Sequence, residues 1–168
     1  LSTDHGFVIK KKNMNTLKLD REKIRIRASE HLQEGSVTDG YSLDPKAVVA
    51  MLSDALATEI VCVLRYRNHY QIAKSGRGLT IANELLVHSN EELQHADKLS
   101  ERIAQLGETP DFNPLSIAER SHTPYSTGKT DLISILEEDL VAERIAIETY
   151  SQMIRFVGNQ DPTTRRML

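Results

Sequence analysis

Residues 57–66, ATEIVCVLRY, place Glu59 in the middle of an apolar segment, with Tyr66 seven residues later. Residues 142–150, AERIAIETY, repeat this Glu-x6-Tyr spacing with Glu143 and Tyr150. A carboxylate inside an apolar helical stripe loses its hydration, and this loss is costly unless a counter-charge is present. Because the pattern occurs twice, the sequence predicts a compensating positive charge between the two segments, and a metal ion is the simplest one.

Three long helices are predicted, because apolar residues recur at helical spacing around these segments. The first starts at the Asp44–Pro45 pair and ends at Gly76, the second covers residues 80–106, and the third covers residues 131–157. The residues predicted to face the core are Val48, Leu52, Leu56, Val63 and Tyr66, then Ile81, Leu85, Ala96, Leu99, Ile103 and Leu106, and finally Leu132, Leu136, Leu140, Ile147, Tyr150 and Ile154.

The remaining segments complete an all-α prediction. Residues 1–43 form an N-terminal arm with a short helix over residues 20–33, and residues 44–168 form the bundle. The short link after the first long helix makes an antiparallel hairpin. Residues 108–129 hold three of the five prolines, which predicts a long crossover with one helical turn near Leu115–Arg120. The Asp161–Pro162 pair starts a fourth helix, most of which lies beyond Leu168.

Composition favours an ordinary soluble protein with a net charge of −3 and one cysteine, Cys62, inside an apolar helix. Such a cysteine is expected to be a small buried hydrophobic residue. No uncharged apolar stretch of about 18 residues and no signal-peptide pattern occurs, so we predict a cytoplasmic protein without a membrane partner. The run Lys10, Lys11 and Lys12 leaves contact with DNA as a weak alternative.

Helical phase gives four candidate metal ligands. Glu59 and Glu143 lie within the predicted apolar stripes of the first and third helices, and Glu92 and His95 share one face of the second at i and i+3. Three helices thus direct three carboxylates and one imidazole toward a common axis. Protonation or basic residues are the alternative means of neutralising them. This donor set suits iron or manganese, because structural zinc sites are usually rich in thiolates. Zinc remains a substitute metal.

Over residues 44–168 the chain resembles the ferritin-like superfamily, in particular bacterioferritins and bacterioferritin-like mini-ferritins. The resemblance lies in residues 57–61 with Tyr66, in residues 91–97 (EELQHAD), and in residues 142–144 with Tyr150. It implies a four-helix bundle with a long crossover between its second and third helices.

The resemblance also implies roles for single residues. Glu59 would be a terminal ligand of one metal, Glu92 a bridging ligand, His95 the imidazole on the first metal, and Glu143 a ligand of the second. Tyr66 would be a hydrogen-bond or redox partner of this site, with Tyr150 as its pseudo-symmetric mate. The alternative is that both tyrosines are core aromatics.

Two positions depart from the family pattern. Bacterioferritins take a haem ligand from a Met directly after the first motif Glu, whereas this chain has Leu93, so haem is not expected there. Glu59 and Glu92 are 33 residues apart, and the same spacing from Glu143 predicts a second Glu-x-x-His near positions 176 and 179, beyond Leu168.

The function implied by the resemblance is storage or detoxification of iron. Fe(II) would be oxidised at a dinuclear site by dioxygen or hydrogen peroxide, a ferroxidase activity, and the ferric product would be kept in a homo-oligomeric cage of twelve or twenty-four subunits. Two alternatives remain. One is another di-iron or dimanganese oxidoreductase, and the other is a DNA-protecting or purely structural cage.

Overall fold

The computed structural model describes residues 17–38, 40–75, 78–126 and 128–168. The chain divides into two compact units, Leu1–Gln33 and Glu34–Leu168. The described part of the first unit contains helix α1 (Arg21–Glu30), whose N-cap Asp20 accepts a hydrogen bond from the Lys23 amide. No residue of α1 is buried, and the helix ends at Glu30 rather than at the predicted Gln33. The Lys10–Lys12 run lies outside the described residues.

A long hairpin forms the centre of the second unit. Helix α2 (Pro45–Ser75) and helix α3 (Leu79–Gln105) pack along each other, as the sequence predicts. The cap predicted at Asp44 is present, since its side chain accepts from the Lys46 amide at 3.0 Å. The predicted core positions of the two helices are buried, except for Val63 and Ile81, which are half-buried.

The crossover lies along α2. Within it, helix α4 (Pro114–Arg120) is the predicted helical turn, capped by Asn113. Arg120 Nη1 donates to the Ser53 carbonyl at 2.7 Å, and the His122 amide donates to Thr58 Oγ1 at 2.9 Å. These bonds hold the crossover against the α2 backbone.

Helix α5 (Leu132–Val157) has the predicted limits, with Asp131 as N-cap and Gly158 as C-cap at a φ of 51°. A positive φ is easily adopted by glycine and strained for other residues, which explains why the helix stops there.

The predicted inward face of α5 is wrong at two positions. Leu140 is 70% exposed and Ile147 is 53% exposed. Helix α5 packs mainly against α2, and the side chains it buries are Ile135, Asp139, Ala142, Met153 and Val157. Leu140 and Ile147 lie outside this buried stripe, and Ile147 instead lines the cavity between α2, α3 and α5 that is described below.

A buried ion pair fixes the start of helix α6 (Pro162–Met167). Asp161 accepts from Arg102 Nη2 at 3.1 Å, from the Tyr41 hydroxyl at 2.9 Å and from the Thr164 amide at 2.8 Å. Arg102 also donates through Nε to Thr164 Oγ1 at 2.8 Å. The last turn of α3 is therefore joined to the first turn of α6.

Helix α2 is long and apolar enough to cross a membrane by length and composition alone. Half of its most apolar 18-residue segment is buried inside the bundle, as expected of a core helix. This feature is therefore explained by packing against α3, α4 and α5.

Candidate metal centre

The four predicted ligands line one cavity of about 350 Å³ between α2, α3 and α5. Glu59 and Glu92 are buried, Glu143 is half-buried, and the His95 side chain is about half exposed. Met167 and Leu168, at the end of α6, line the same cavity. The helical phase that predicted these four residues therefore brings them to one place.

Three of the four form a compact donor cluster. His95 Nδ1 lies 2.9 Å from Glu92 Oε2 and 3.9 Å from Glu59 Oε2. One ligand atom from each of Glu59, Glu92 and His95 lies within 4.8 Å of the others, a spacing at which one metal ion can contact all three. Glu143 lies at the same cavity but outside this group. The roles assigned to the four residues stay predictions.

Protons and hydrogen bonds neutralise part of the charge in the cluster. Burial raises the pKa of Glu59, and its hydrogen bond with Glu92 raises it further. Burial alone would raise the pKa of Glu92, but its hydrogen bonds with His95 and Glu59 bring it below its usual value. The hydrogen bond to Glu92 raises the pKa of His95. Without metal, the favoured arrangement is thus a neutral Glu59 beside an ionised Glu92 and a protonated His95.

The two Glu-x6-Tyr segments are hydrogen-bonded to each other. The Tyr66 hydroxyl on α2 donates to Glu143 Oε1 on α5, and the Tyr150 hydroxyl on α5 donates to Glu59 Oε1 on α2. Burial raises the pKa of both tyrosines, so both hydroxyls stay protonated donors. Each tyrosine therefore orients the glutamate of the opposite segment.

Two nearby residues have simpler environments. The ring of His88 stacks on Tyr66 with centroids 5.5 Å apart, and its Nδ1 lies 3.5 Å from Glu91. Cys62 is a buried free thiol, and burial raises its pKa to about 12. The expectation that Cys62 is a small buried hydrophobic residue agrees with this environment.

Sequence reasoning missed a further polar contact between α2 and α5. His69 is buried, with Nδ1 2.8 Å from Asp139 Oδ1 and Nε2 3.5 Å from Glu138 Oε2. His69 lies three residues after Tyr66, and Asp139 lies four residues before Glu143. His69 and Asp139 therefore continue the helix faces that carry Tyr66 and Glu143, and this helical spacing was the available signal.

These features define a class of protein, the helical bundles that hold a carboxylate and imidazole centre between long antiparallel helices. A family model for the ferritin-like domain matches residues 49–168. The chain belongs to this ferritin-like family, as its sequence predicted.

Relatives and a solved structure support the assignment. The chain is 32% identical over 131 residues to a bacterioferritin of Desulfovibrio desulfuricans, covering 76% of this chain and 68% of that protein. It is 31% identical over 109 residues to a bacterioferritin of Brucella melitensis, covering 65% of this chain and 62% of that protein. Its fold is similar to a dodecameric thioferritin, the bacterioferritin-related protein of Bacteroides fragilis, with a TM-score of 0.71 and 25% identity over 84% of this chain and 81% of the other.

Proposed function

We propose that this protein binds Fe(II) at a dinuclear carboxylate centre, oxidises it with dioxygen or hydrogen peroxide, and stores or detoxifies the ferric product in a homo-oligomeric cage. The observation that carries the proposal is the convergence of Glu59, Glu92 and His95, with Glu143 at the same cavity. Family membership and the bacterioferritin relatives support iron as the metal. The dodecameric neighbour supports a cage.

The donor chemistry fits the proposed substrate. Buried carboxylates stabilise the higher charge of Fe(III) more than that of Fe(II), so they favour loss of one electron from each bound ion. Dioxygen or hydrogen peroxide accepts these electrons. When metal enters, the proton on Glu59 must leave, because a carboxylate ligand binds in its ionised form. His95 must give up its own proton as well, because an imidazole binds metal in its neutral form, and its half-exposed ring can release that proton directly to water.

The reciprocal hydrogen bonds preorganise the carboxylates. Tyr150 orients Glu59 and Tyr66 orients Glu143, so the bundle holds both side chains before metal binds. Such support reduces the reorganisation that binding requires. Manganese and zinc remain substitute metals, and Leu93 at the family's haem-ligand position supports the expectation that haem is not bound there. The buried thiol of Cys62 is compatible with the proposed cytoplasmic location.

Stopped-flow oxidation of Fe(II) tests the proposal. Glu92→Ala and Glu143→Ala should each abolish the fast phase of oxidation, because each removes a ligand, while circular dichroism shows that the helical bundle is retained. Glu148→Ala removes an exposed glutamate from α5 and is the matched control, expected to react at the wild-type rate. An unchanged fast phase in Glu92→Ala or Glu143→Ala would reject the site assignment.

A further inference from the structure

A second cavity lies between α2, the crossover and α5, and its lining includes none of the residues of the donor cluster. Arg65 is 1% exposed, and its Nη2 donates to Thr123 Oγ1 at 2.8 Å and to the Pro124 carbonyl. Both partners are neutral oxygens. Its Nε and Nη1 atoms are buried and have no hydrogen-bond partner among the described residues. Since a guanidinium has five N–H bonds and Nη2 carries two, three N–H bonds are left unpaired.

An unpaired buried cation is energetically unfavourable. Removing a charged group from water is costly unless an opposite charge and hydrogen bonds replace the lost hydration. Arg65 has the buried Thr123 hydroxyl and the Pro124 carbonyl as partners, which compensate only part of that loss. The arrangement therefore favours an additional negatively charged hydrogen-bond acceptor near Arg65.

The same cavity contains an unpaired acceptor. Arg65 and Glu138 both line a space of about 290 Å³, together with Lys129 and Ser134. Glu138 Oε2 is buried and has no hydrogen-bond partner in the described part of the chain, although it lies 3.5 Å from His69 Nε2. Glu137 is a further carboxylate in the wall. Two residues of the cavity wall thus bring a cation with unpaired donors and an anion with an unpaired acceptor.

We propose that this cavity binds a protonated oxyanion of the phosphate type. Its charged oxygens would accept hydrogen bonds from Arg65 Nε and Nη1, and Lys129 would add a second positive charge. Its O–H group would donate to Glu138 Oε2. Phosphate carries at least one proton at neutral pH, so a single ligand satisfies both kinds of unpaired atom.

Glu138 gives the site its selectivity. Sulfate matches phosphate in shape but carries no proton at neutral pH, so its oxygens would face the Glu138 carboxylate without a hydrogen bond and with like charge. Phosphate is therefore bound in preference to sulfate. Because the unpaired atoms are buried, binding requires a small shift of the side chains that line the cavity.

Isothermal titration calorimetry of the metal-free full chain tests the proposal without any activity assay. We expect saturable binding of inorganic phosphate and at least about tenfold weaker binding of sulfate at equal ionic strength. Glycerol phosphate is a parallel ligand, and most of it has lost its acidic proton at neutral pH. Tighter binding of glycerol phosphate than of inorganic phosphate would identify a small phosphorylated molecule as the source, whereas tighter binding of inorganic phosphate would identify the free ion.

Three variants locate the site. Arg65→Met should lose phosphate binding, and Glu138→Gln should reduce the preference for phosphate over sulfate to less than about threefold, because an amide can donate to either anion. Arg67→Met removes an exposed arginine of α2 that is bonded to Asn90, and should bind phosphate like the wild type. If Arg65→Met does not fold, the selectivity of Glu138→Gln decides the matter. Absence of phosphate binding, equal binding of sulfate, or an unchanged preference in Glu138→Gln would overturn the proposal.

Discussion

Replacing Glu59 with glutamine should remove a pH dependence from the stability of the metal-free protein. Glu59 is 3% exposed, and burial together with its hydrogen bond to Glu92 raises its pKa from 4.5 to about 9. Between these values the folded chain holds a proton that the unfolded chain has lost. The free energy of unfolding therefore falls as pH rises through this window.

The size of the effect follows from one proton. A difference of one bound proton changes the free energy of unfolding by about 1.4 kcal/mol per pH unit, or about 3 kcal/mol between about pH 5.5 and pH 7.5. This is a large part of a typical domain stability of about 5–15 kcal/mol. Glu92 adds no slope here, because its pKa is lowered and it is ionised in both states. His95 has a raised pKa and adds a slope of the same sign, weakened by water at its half-exposed ring.

Urea unfolding followed by circular dichroism, with a chelator present and chain concentration fixed, measures this slope. Glu59→Gln keeps an acceptor for Tyr150 and a donor for Glu92 but has no proton to lose. Its slope should be flatter than the wild-type slope by about 1.4 kcal/mol per pH unit. Glu148→Gln, on the exposed surface of α5, should keep the wild-type slope. Equal slopes in Glu59→Gln and the wild type would refute the assignment of the proton to Glu59.

Two further predictions concern the bundle. Asp161→Asn should lower the free energy of unfolding by about 3–5 kcal/mol, because it leaves the buried Arg102 without its counter-charge. Calorimetry measures this loss. The control Asp111→Asn, at an exposed ion pair, should change the free energy of unfolding little. Urea unfolding tests the buried face of α5. Ile135→Ala should lower the free energy of unfolding by about 2–5 kcal/mol, and Leu140→Ser should lower it by less than about 0.5 kcal/mol. The reverse order would mean that the face predicted from the sequence is the buried one.

Helix limits were predictable because their signals are local. The Asp44–Pro45 and Asp161–Pro162 pairs mark the starts of α2 and α6, and both helices begin at the proline. Gly158 stops α5 at the predicted residue. Each of these signals acts within one turn of helix, so neighbouring sequence is enough to recognise it.

The inward face of α5 was not predictable from apolar spacing alone. This helix has apolar residues on several sides, including Ile133, Leu140 and Ile147, all of which are exposed. Its buried stripe instead contains the charged Asp139, which is stabilised there by His69 of α2. A pattern that counts apolar residues cannot place a buried carboxylate whose partner lies on another helix.

Helical phase predicted most of the candidate metal centre, but it did not predict the hydrogen bonds between the two Glu-x6-Tyr segments. Glu59, Glu92 and His95 each lie on a face that their own helix defines. The bonds from Tyr66 to Glu143 and from Tyr150 to Glu59 depend on how α2 and α5 are placed side by side. The repeated Glu-x6-Tyr spacing indicated equivalence of the two segments, and only the packed bundle reveals that each tyrosine is bonded to the other segment.

That equivalence predicts the composition of the rest of the centre. The hairpin of α2 and α3 supplies Glu59, Glu92 and His95, whereas the second half supplies Glu143 and then α6. The end of α6 lines the same cavity through Met167 and Leu168. A helix continued from there would reach a residue near position 176 after about 12 Å, at 1.5 Å per residue.

We therefore expect the gene to encode a Glu-x-x-His near positions 176 and 179 in the numbering used here. A protein that includes this segment should bind two Mn(II) ions per chain, and the chain ending at Leu168 should bind one, as counted by metal analysis after equilibrium dialysis. Glu59→Ala in the longer protein should reduce the count, because it removes a ligand from the first half. A reading frame that continues past this region without the motif, or a count of one in the longer protein, would contradict the equivalence of the two halves. The dinuclear chemistry proposed above would then lack its second set of ligands.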